Sequence, residues 1–265
     1  MHRNTSILST LLVLAGGFLA GCGGPGEFVI GLGDGYPPFD VGSLEGLNYD
    51  VLTAVCDAND DMDCDIQDAP YSDCFTTDDD GNAIIGAKLD DGTFDGCMGW
   101  YLTQARRDLG ITFSEDYVAG MPTSLIALEA TADITGTDLG GASVGFISGY
   151  MVDQTCLDKH YSNYTAVVLD DTTAVAAAVV DGTVLYAFWD SVLPDQLPEG
   201  TKLVGDEIND CTDEGLGLAA YGDNAEDLVE AFNTGLDLLR DDGTLEQLCE
   251  ESNPKHAPVD LVCNL

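Results

Sequence analysis

Arginine is scarce in this 265-residue chain, and two of its few copies are adjacent, Arg106 and Arg107. A guanidinium is planar and can give two parallel hydrogen bonds to a carboxylate, so this pair is the natural place to look for anion recognition. Other reactive chemistry is poorly represented. The histidines are His2, His160 and His256, and no Cys-His arrangement marks a nucleophile. No C-x-x-C occurs, so zinc is not expected. The acidic run Asp78-Asp79-Asp80-Gly81-Asn82 lacks a full EF-hand pattern and reads as a solvated loop, so no metal and no cofactor is expected.

The N-terminus carries a different kind of chemistry. His2 and Arg3 precede a mostly apolar run, Ile7 to Ala20, that is shorter than the roughly 20 apolar residues needed to span a bilayer. Small residues follow, in the order expected of a signal peptide covering residues 1–21. Leu19-Ala20-Gly21-Cys22 resembles the bacterial lipobox, in which the cysteine is acylated and becomes the mature N-terminus. That likeness implies lipidation at Cys22, a flexible linker over 22–26, and an extracytoplasmic protein held at the membrane by the lipid alone. No later segment is long and apolar enough to cross a membrane.

The formal net charge is −40, from 48 acidic and 8 basic residues. Such a chain repels phosphate and is excluded as a general nucleic-acid binder. With 45% hydrophobic residues and clear periodicity it is expected to fold, with an acidic surface suited to high salt. Besides Cys22 there are eight cysteines: Cys56, Cys64, Cys74, Cys97, Cys156, Cys211, Cys249 and Cys263. An even number in an exported chain implies up to four disulfides, although eight cysteines allow on the order of 100 connectivities.

Positioning elements can be read from periodicity. Phe28–Leu32 is expected as a strand, Asn48–Asn59 as a helix with Val51, Leu52 and Val55 on one face, and Asp63–Ala69 as extended. Ile84–Leu89 is read as a helix and Phe94–Met98 as a strand. The pattern restarts with a strand over Ala142–Ile147, a helix over Val152–His160, a strand at Val167–Leu169, a helix over Thr173–Val180 and a strand over Leu185–Trp189. Two terminal helices close the chain, Ala225–Arg240 and Thr244–Glu251. Alternation of this kind implies an α/β protein with parallel strands and an internal repeat.

Several local patterns, in order across about 220 residues, resemble the family 3 extracellular solute-binding proteins, polar amino-acid receptors of ABC importers. They are the strand and Y-P-P-F loop Gly31–Phe39, Asn48-Tyr49-Asp50-Val51, Gly92-Thr93-Phe94-Asp95, and Thr103-Gln104-Ala105-Arg106 followed by Ile111-Thr112-Phe113-Ser114. Leu139–Gly149, Trp189-Asp190 and Asp241-Asp242-Gly243-Thr244 continue the series. The resemblance implies a two-lobed type II periplasmic-binding-protein-like fold with two crossing strands, near Pro122–Leu128 and Gly215–Tyr221. Lobe one would comprise 27–123 and 217–265, and lobe two 124–216. A ligand would bind in the cleft and favour the closed state.

The same resemblance implies the site. Arg106 matches the carboxylate clamp when Thr103 is taken as the motif threonine, and a slip of one residue would promote Arg107. Asp190 matches the anchor for an ammonium group. Tyr36 and Tyr71 match aromatics at the cleft, where ring faces can pack a side chain or attract a cation. Three features depart from the family pattern. Gly33, with Asp34 one step later, stands where receptors for basic amino acids carry an acid, so a Lys or Arg ligand is not expected. Gly99-Trp100-Tyr101 replaces small hydroxyl residues, and Gly149-Tyr150-Met151 replaces a G-T-T or G-S-T turn. These changes make the site bulkier and more apolar, and they admit a methylated ammonium compound as an alternative ligand. Family precedent implies Cys56–Cys64; proximity in sequence favours Cys74–Cys97, Cys156–Cys211 and Cys249–Cys263.

The expected function is capture of a polar amino acid or related zwitterion by a monomer, and its delivery to an ABC permease. An exported dehydratase-like enzyme on the same fold, or a ligand-sensing module, are the alternatives. No histidine falls in a matched cleft motif, and the chain is read as a non-enzyme.

Overall fold

Two five-stranded mixed sheets organise the chain in a computed structural model that describes residues 26–33, 36, 38–77, 83–147, 151–190, 197–211, 214–256 and 263. For 26, 77, 151–155, 190 and 253–256 only the backbone is described. The acidic run 78–82 and Cys22 lie outside the described residues.

The first sheet has the order β2-β1-β5-β12-β6. It contains β1 (Gly26–Leu32), β2 (Met62–Asp68), β5 (Gly96–Tyr101), β6 (Thr112–Phe113) and β12 (Leu216–Ala220). A small antiparallel pair, β3 (Phe75–Thr77) with β4 (Ala83–Ile85), stands beside it. The second sheet has the order β11-β7-β10-β8-β9. Its strands are β7 (Thr123–Leu128), β8 (Asp138–Ile147), β9 (Ser162–Leu169), β10 (Tyr186–Asp190) and β11 (Thr201–Ile208).

The internal repeat is visible in the pairing. β1 runs parallel to both β2 and β5, and β8 runs parallel to both β9 and β10. The sheets are mixed because β12 runs antiparallel to its neighbours β5 and β6, and β7 runs antiparallel to its neighbours β10 and β11. Residues 114–122 lead from the first sheet to the second, and residues 209–215 lead back. The strands Thr123–Leu128 and Leu216–Ala220 each lie wholly within one sheet, so the passages precede them in sequence.

The passages touch. Leu216 N–H donates to Val118 O and Tyr117 N–H to Leu216 O, both at 2.9 Å. Gly215 is required at this contact, since a Cβ there would come within 1.6 Å of the Val118 carbonyl oxygen.

Helices cover the sheets through apolar stripes. In α1 (Leu47–Ala58) the buried residues Leu47, Val51, Leu52 and Val55 follow helical spacing. α7 (Ala225–Asp242) buries Leu228, Phe232, Leu236 and Leu239 in the same way, and Gly235 lets it approach Val55 of α1 closely. It ends at Gly243 in the left-handed region, where the Gly243 N–H donates to Arg240 O. α8 (Thr244–His256) follows. On the second sheet, α6 (Thr172–Val180) buries Val175, Ala178 and Val179, and its N-cap Asp171 accepts from Ala174 N–H at 2.7 Å. α5 (Met151–His160) is the other helix of that half. Full burial of each large aliphatic side chain contributes about 1.5–3 kcal/mol, so these stripes dominate the stability.

One expectation is corrected. Ile84–Leu89 is not a single helix: Ile84 and Ile85 belong to β4, and a four-residue helix α3 (Ala87–Asp90) begins after Gly86. Ile84 is exposed while Ala83 is buried, an alternation with the period of a strand, and β-branched residues favour it.

Four disulfides are present: Cys56–Cys64, Cys74–Cys97, Cys156–Cys211 and Cys249–Cys263. Cys211 lies in the returning passage, packs against the main apolar clusters of both sheets, and has its sulfur 2.9 Å from Thr123 Oγ1.

Candidate functional site

The site residues of the first sheet are positioned by an irregularity in β5. Opposite β12, Met98 faces Leu218 and Trp100 faces Gly217, so Gly99 has no partner of its own and forms a bulge. Its φ of +83° suits glycine, and a Cβ would meet Asn48 Nδ2 at 2.0 Å. Trp100 follows the bulge, with its ring edge-on to Phe75 at 4.6 Å and to Tyr71 at 5.5 Å. Tyr71 opens the short helix α2 (Tyr71–Cys74), and Phe75 opens β3 directly after it.

Arg106 lies in the five-residue helix α4 (Gln104–Asp108), whose N-cap Thr103 accepts from the Arg106 N–H at 3.3 Å. The Arg106 residue is fully buried. One Nη donates to Tyr101 O at 2.7 Å, and the guanidinium carbon lies 4.8 Å from the Trp100 ring centre and 5.1 Å from that of Phe75. These rings therefore already hold a cation, and it is the protein's own. Such contacts orient the planar group and leave a charge in a low-dielectric place, where it acts strongly on an anion. Arg107, on the same helix, is treated differently. It is partly exposed, pairs with Glu214 at 2.5 Å, and lies over Phe113.

A buried polar chain lies behind the aromatic residues. Tyr71 hydroxyl donates to Asp40 Oδ2 at 3.1 Å, and Asn48 Nδ2 donates to the same oxygen at 2.9 Å. Tyr117 hydroxyl donates in turn to Asn48 Oδ1. Asp40 and Asn48 are fully buried. Tyr36 is buried too, stacked on Phe39 at 5.2 Å, with its N–H donating to Asp40 O at 2.7 Å. Gly33 is the floor for Tyr71: a Cβ there would lie 2.3 Å from that ring.

The structure thus brings Tyr71, Gly99, Trp100, Tyr101, Thr103 and Arg106 together, with Tyr36 linked to them through Asp40. Asp190 ends β10 with its backbone paired to Thr123, and Met151 heads α5; their side chains, and Tyr150, lie outside the described residues. Among the described residues no cluster of His, Cys, Asp and Glu could hold a metal ion. Two participants were not anticipated from sequence. Phe75 follows Cys74 without a motif, and Asp40 follows the Y-P-P-F loop as one acid among 48.

Comparison with known families decides what kind of protein carries this arrangement. The model of the bacterial extracellular solute-binding proteins, family 3, matches residues 28–252. The chain belongs to that family. Among solved structures, this solute-binding protein is similar to a Salmonella typhimurium periplasmic binding protein described as highly arginine-specific, at 21% identity and a TM-score of 0.70. That match covers 85% of this chain and 98% of the other. An arginine transport-system periplasmic binding protein from Legionella pneumophila gives 19% identity and a TM-score of 0.68, covering 85% and 99%. A Silicibacter pomeroyi binding protein in complex with lysine gives 18% and 0.66, covering 84% and 95%. At these identities the likeness concerns the fold. No curated protein sequence matches.

Proposed function

We propose that this solute-binding protein captures a polar amino acid or a related zwitterion outside the cytoplasm and delivers it to an ABC importer. The observation that carries the reading is Arg106: fully buried, oriented by Trp100, Phe75 and the Tyr101 carbonyl, and embedded in the family match. An arginine held this way suits a carboxylate, the group every free amino acid presents. Arg107 is bound to Glu214 and is assigned a surface role. Asp190, at the end of β10 in the other sheet, is assigned to the ligand's ammonium group. An anion and a cation contributed by different lobes would let one zwitterion draw the lobes together, the differential affinity that closure requires. Since Trp100 and Phe75 already surround Arg106, the aromatic-cage alternative for a methylated ammonium ligand loses its principal rings. Solved structures of similar fold are described as highly arginine-specific or as bound to arginine. A basic side chain thereby enters the ligand set, although Gly33 leaves no acid at the position read for it.

Thermal-shift screening against the common amino acids, betaines and small acids tests this directly. A ligand at 1,000 times its Kd stabilises the folded state by about 4 kcal/mol. At least one polar amino acid should therefore raise Tm by several degrees. No shift from any amino acid would overturn the reading.

We also assign Cys22 to a lipid anchor that keeps the receptor near its permease, on the strength of the Leu19-Ala20-Gly21-Cys22 sequence. A Cys22→Ser variant expressed in a bacterial host should move from the membrane fraction to the soluble or secreted fraction. Unchanged partitioning would remove the anchor.

A further inference from the structure

We propose that Asp40 is a positioning residue for the ligand wall. Its carboxylate fixes Tyr71 before any ligand arrives, and it ties that wall to the passage between the sheets. The inference rests on the proposed function for what the wall receives, but its geometry stands apart from it.

A fully buried carboxylate is costly unless its oxygens are hydrogen-bonded, and an apolar residue would fill the same place more cheaply. What the carboxylate supplies is direction. Oδ2 accepts from Tyr71 hydroxyl at 3.1 Å and from Asn48 Nδ2 at 2.9 Å, so one atom joins the loop after Tyr36, the start of α1 and α2. Asn48 is itself confined, because its amide lies against the Gly99 bulge and its Oδ1 accepts from Tyr117. Tyr117 belongs to residues 114–122, and its own N–H donates to Leu216 O at the contact between the two passages. The chain Tyr71–Asp40–Asn48–Tyr117 therefore runs from the ring beside Trp100 to the place where the polypeptide leaves the first sheet. With its hydroxyl donated to Asp40, Tyr71 is fixed in orientation against Trp100 and Gly33. A preset wall loses less rotamer freedom on binding, which raises affinity without a new ligand contact.

Two conservative variants separate positioning from mere support. Asp40→Asn keeps the volume and removes the charge, while Tyr71→Phe removes only the hydroxyl. Each, and the double variant, is titrated calorimetrically with L-glutamine and L-arginine, and the ligand-free proteins are compared by near-ultraviolet circular dichroism. Each single change should weaken binding of the amino acid the wild type accepts by about ten-fold, the scale of one charged hydrogen bond. The double variant should be no weaker than the worse single, because both act on the same bond: phenylalanine deletes it, and the neutral amide oxygen accepts it more weakly. The ligand-free aromatic spectrum should change alike in all three. Asp181→Asn, at an exposed turn in the other half, should alter neither property. Losses that multiply to about 100-fold, or an Asp40→Asn protein with a lower Tm but unchanged Kd and aromatic spectrum, would overturn the proposal. Wild-type protein that bound none of the amino acids in the thermal-shift screen would count against the proposed function, and the spectral comparison would still decide the role of Asp40.

Discussion

Arg106→Met is expected to weaken amino-acid binding by about 30-fold or more while leaving the protein folded. The figure follows from truncating one partner of a buried, hydrogen-bonded charge pair, which costs about 2–5 kcal/mol in binding. Methionine is chosen because its unbranched stem can lie between Phe75 and Trp100 where the guanidinium now sits, limiting the cavity that alanine would leave. Arg106→Lys should recover only part of the loss, since an ammonium cannot give two parallel hydrogen bonds. Arg107→Ala should change affinity by less than about five-fold, because its half-exposed pair with Glu214 is of the kind worth at most about 1 kcal/mol. Titration calorimetry with the amino acid giving the largest thermal shift measures all three. The decisive comparison is between neighbours on one helix. A larger loss from Arg107→Ala than from Arg106→Met would transfer the clamp to Arg107 and undo the site.

What made Arg106 visible in the sequence was scarcity together with context. The four arginines are few enough that two adjacent ones after a Thr-x-x motif attract attention. The strand and helix pattern was equally legible where apolar periodicity ran for a full element, as in α1, α6 and α7. It failed where an element is short and owes its form to a distant partner. β4 needs β3 to be a strand, and β6 exists only because Ala219 and Ala220 of β12 lie beside it. Such pairing leaves no local period to read.

The site shows the same division. The sequence marks Trp100 and Tyr101 as bulky replacements without showing what they do. Only the bulge at Gly99 and the turn into α4 bring the Trp100 ring over Arg106. Trp100, which the sequence offers as a ring face for a ligand cation, lies over the guanidinium of Arg106. Asp40 was illegible for a different reason. In a chain with 48 acids, type carries almost no information, and burial, which makes Asp40 unusual, is a property of the fold.

Removing the Cys156–Cys211 disulfide by the double change Cys156→Ala and Cys211→Ala is expected to cost more stability than removing any of the other three. In the chain-entropy model the loss grows with the closed loop, here 55 residues apart in sequence, and comes to about 4 kcal/mol. The corresponding separations are 23 for Cys74–Cys97, 14 for Cys249–Cys263 and 8 for Cys56–Cys64, giving about 3.4, 3 and 2.5 kcal/mol. Geometry acts in the same direction as entropy. Cys156 is fully buried in α5, while Cys211 sits in the returning passage and packs against the main clusters of both sheets. Breaking this bridge frees the passage from the second half of the fold, whereas the Cys56–Cys64 bridge only reinforces the turn from α1 into β2. For a protein of this size each kcal/mol corresponds to about 2–4 °C, so Tm should fall by about 8–16 °C. Urea unfolding of the four double variants, each with its remaining disulfides intact, should rank them by loop length. A loss at Cys56–Cys64 exceeding that at Cys156–Cys211 would show that packing around the first bridge outweighs chain entropy.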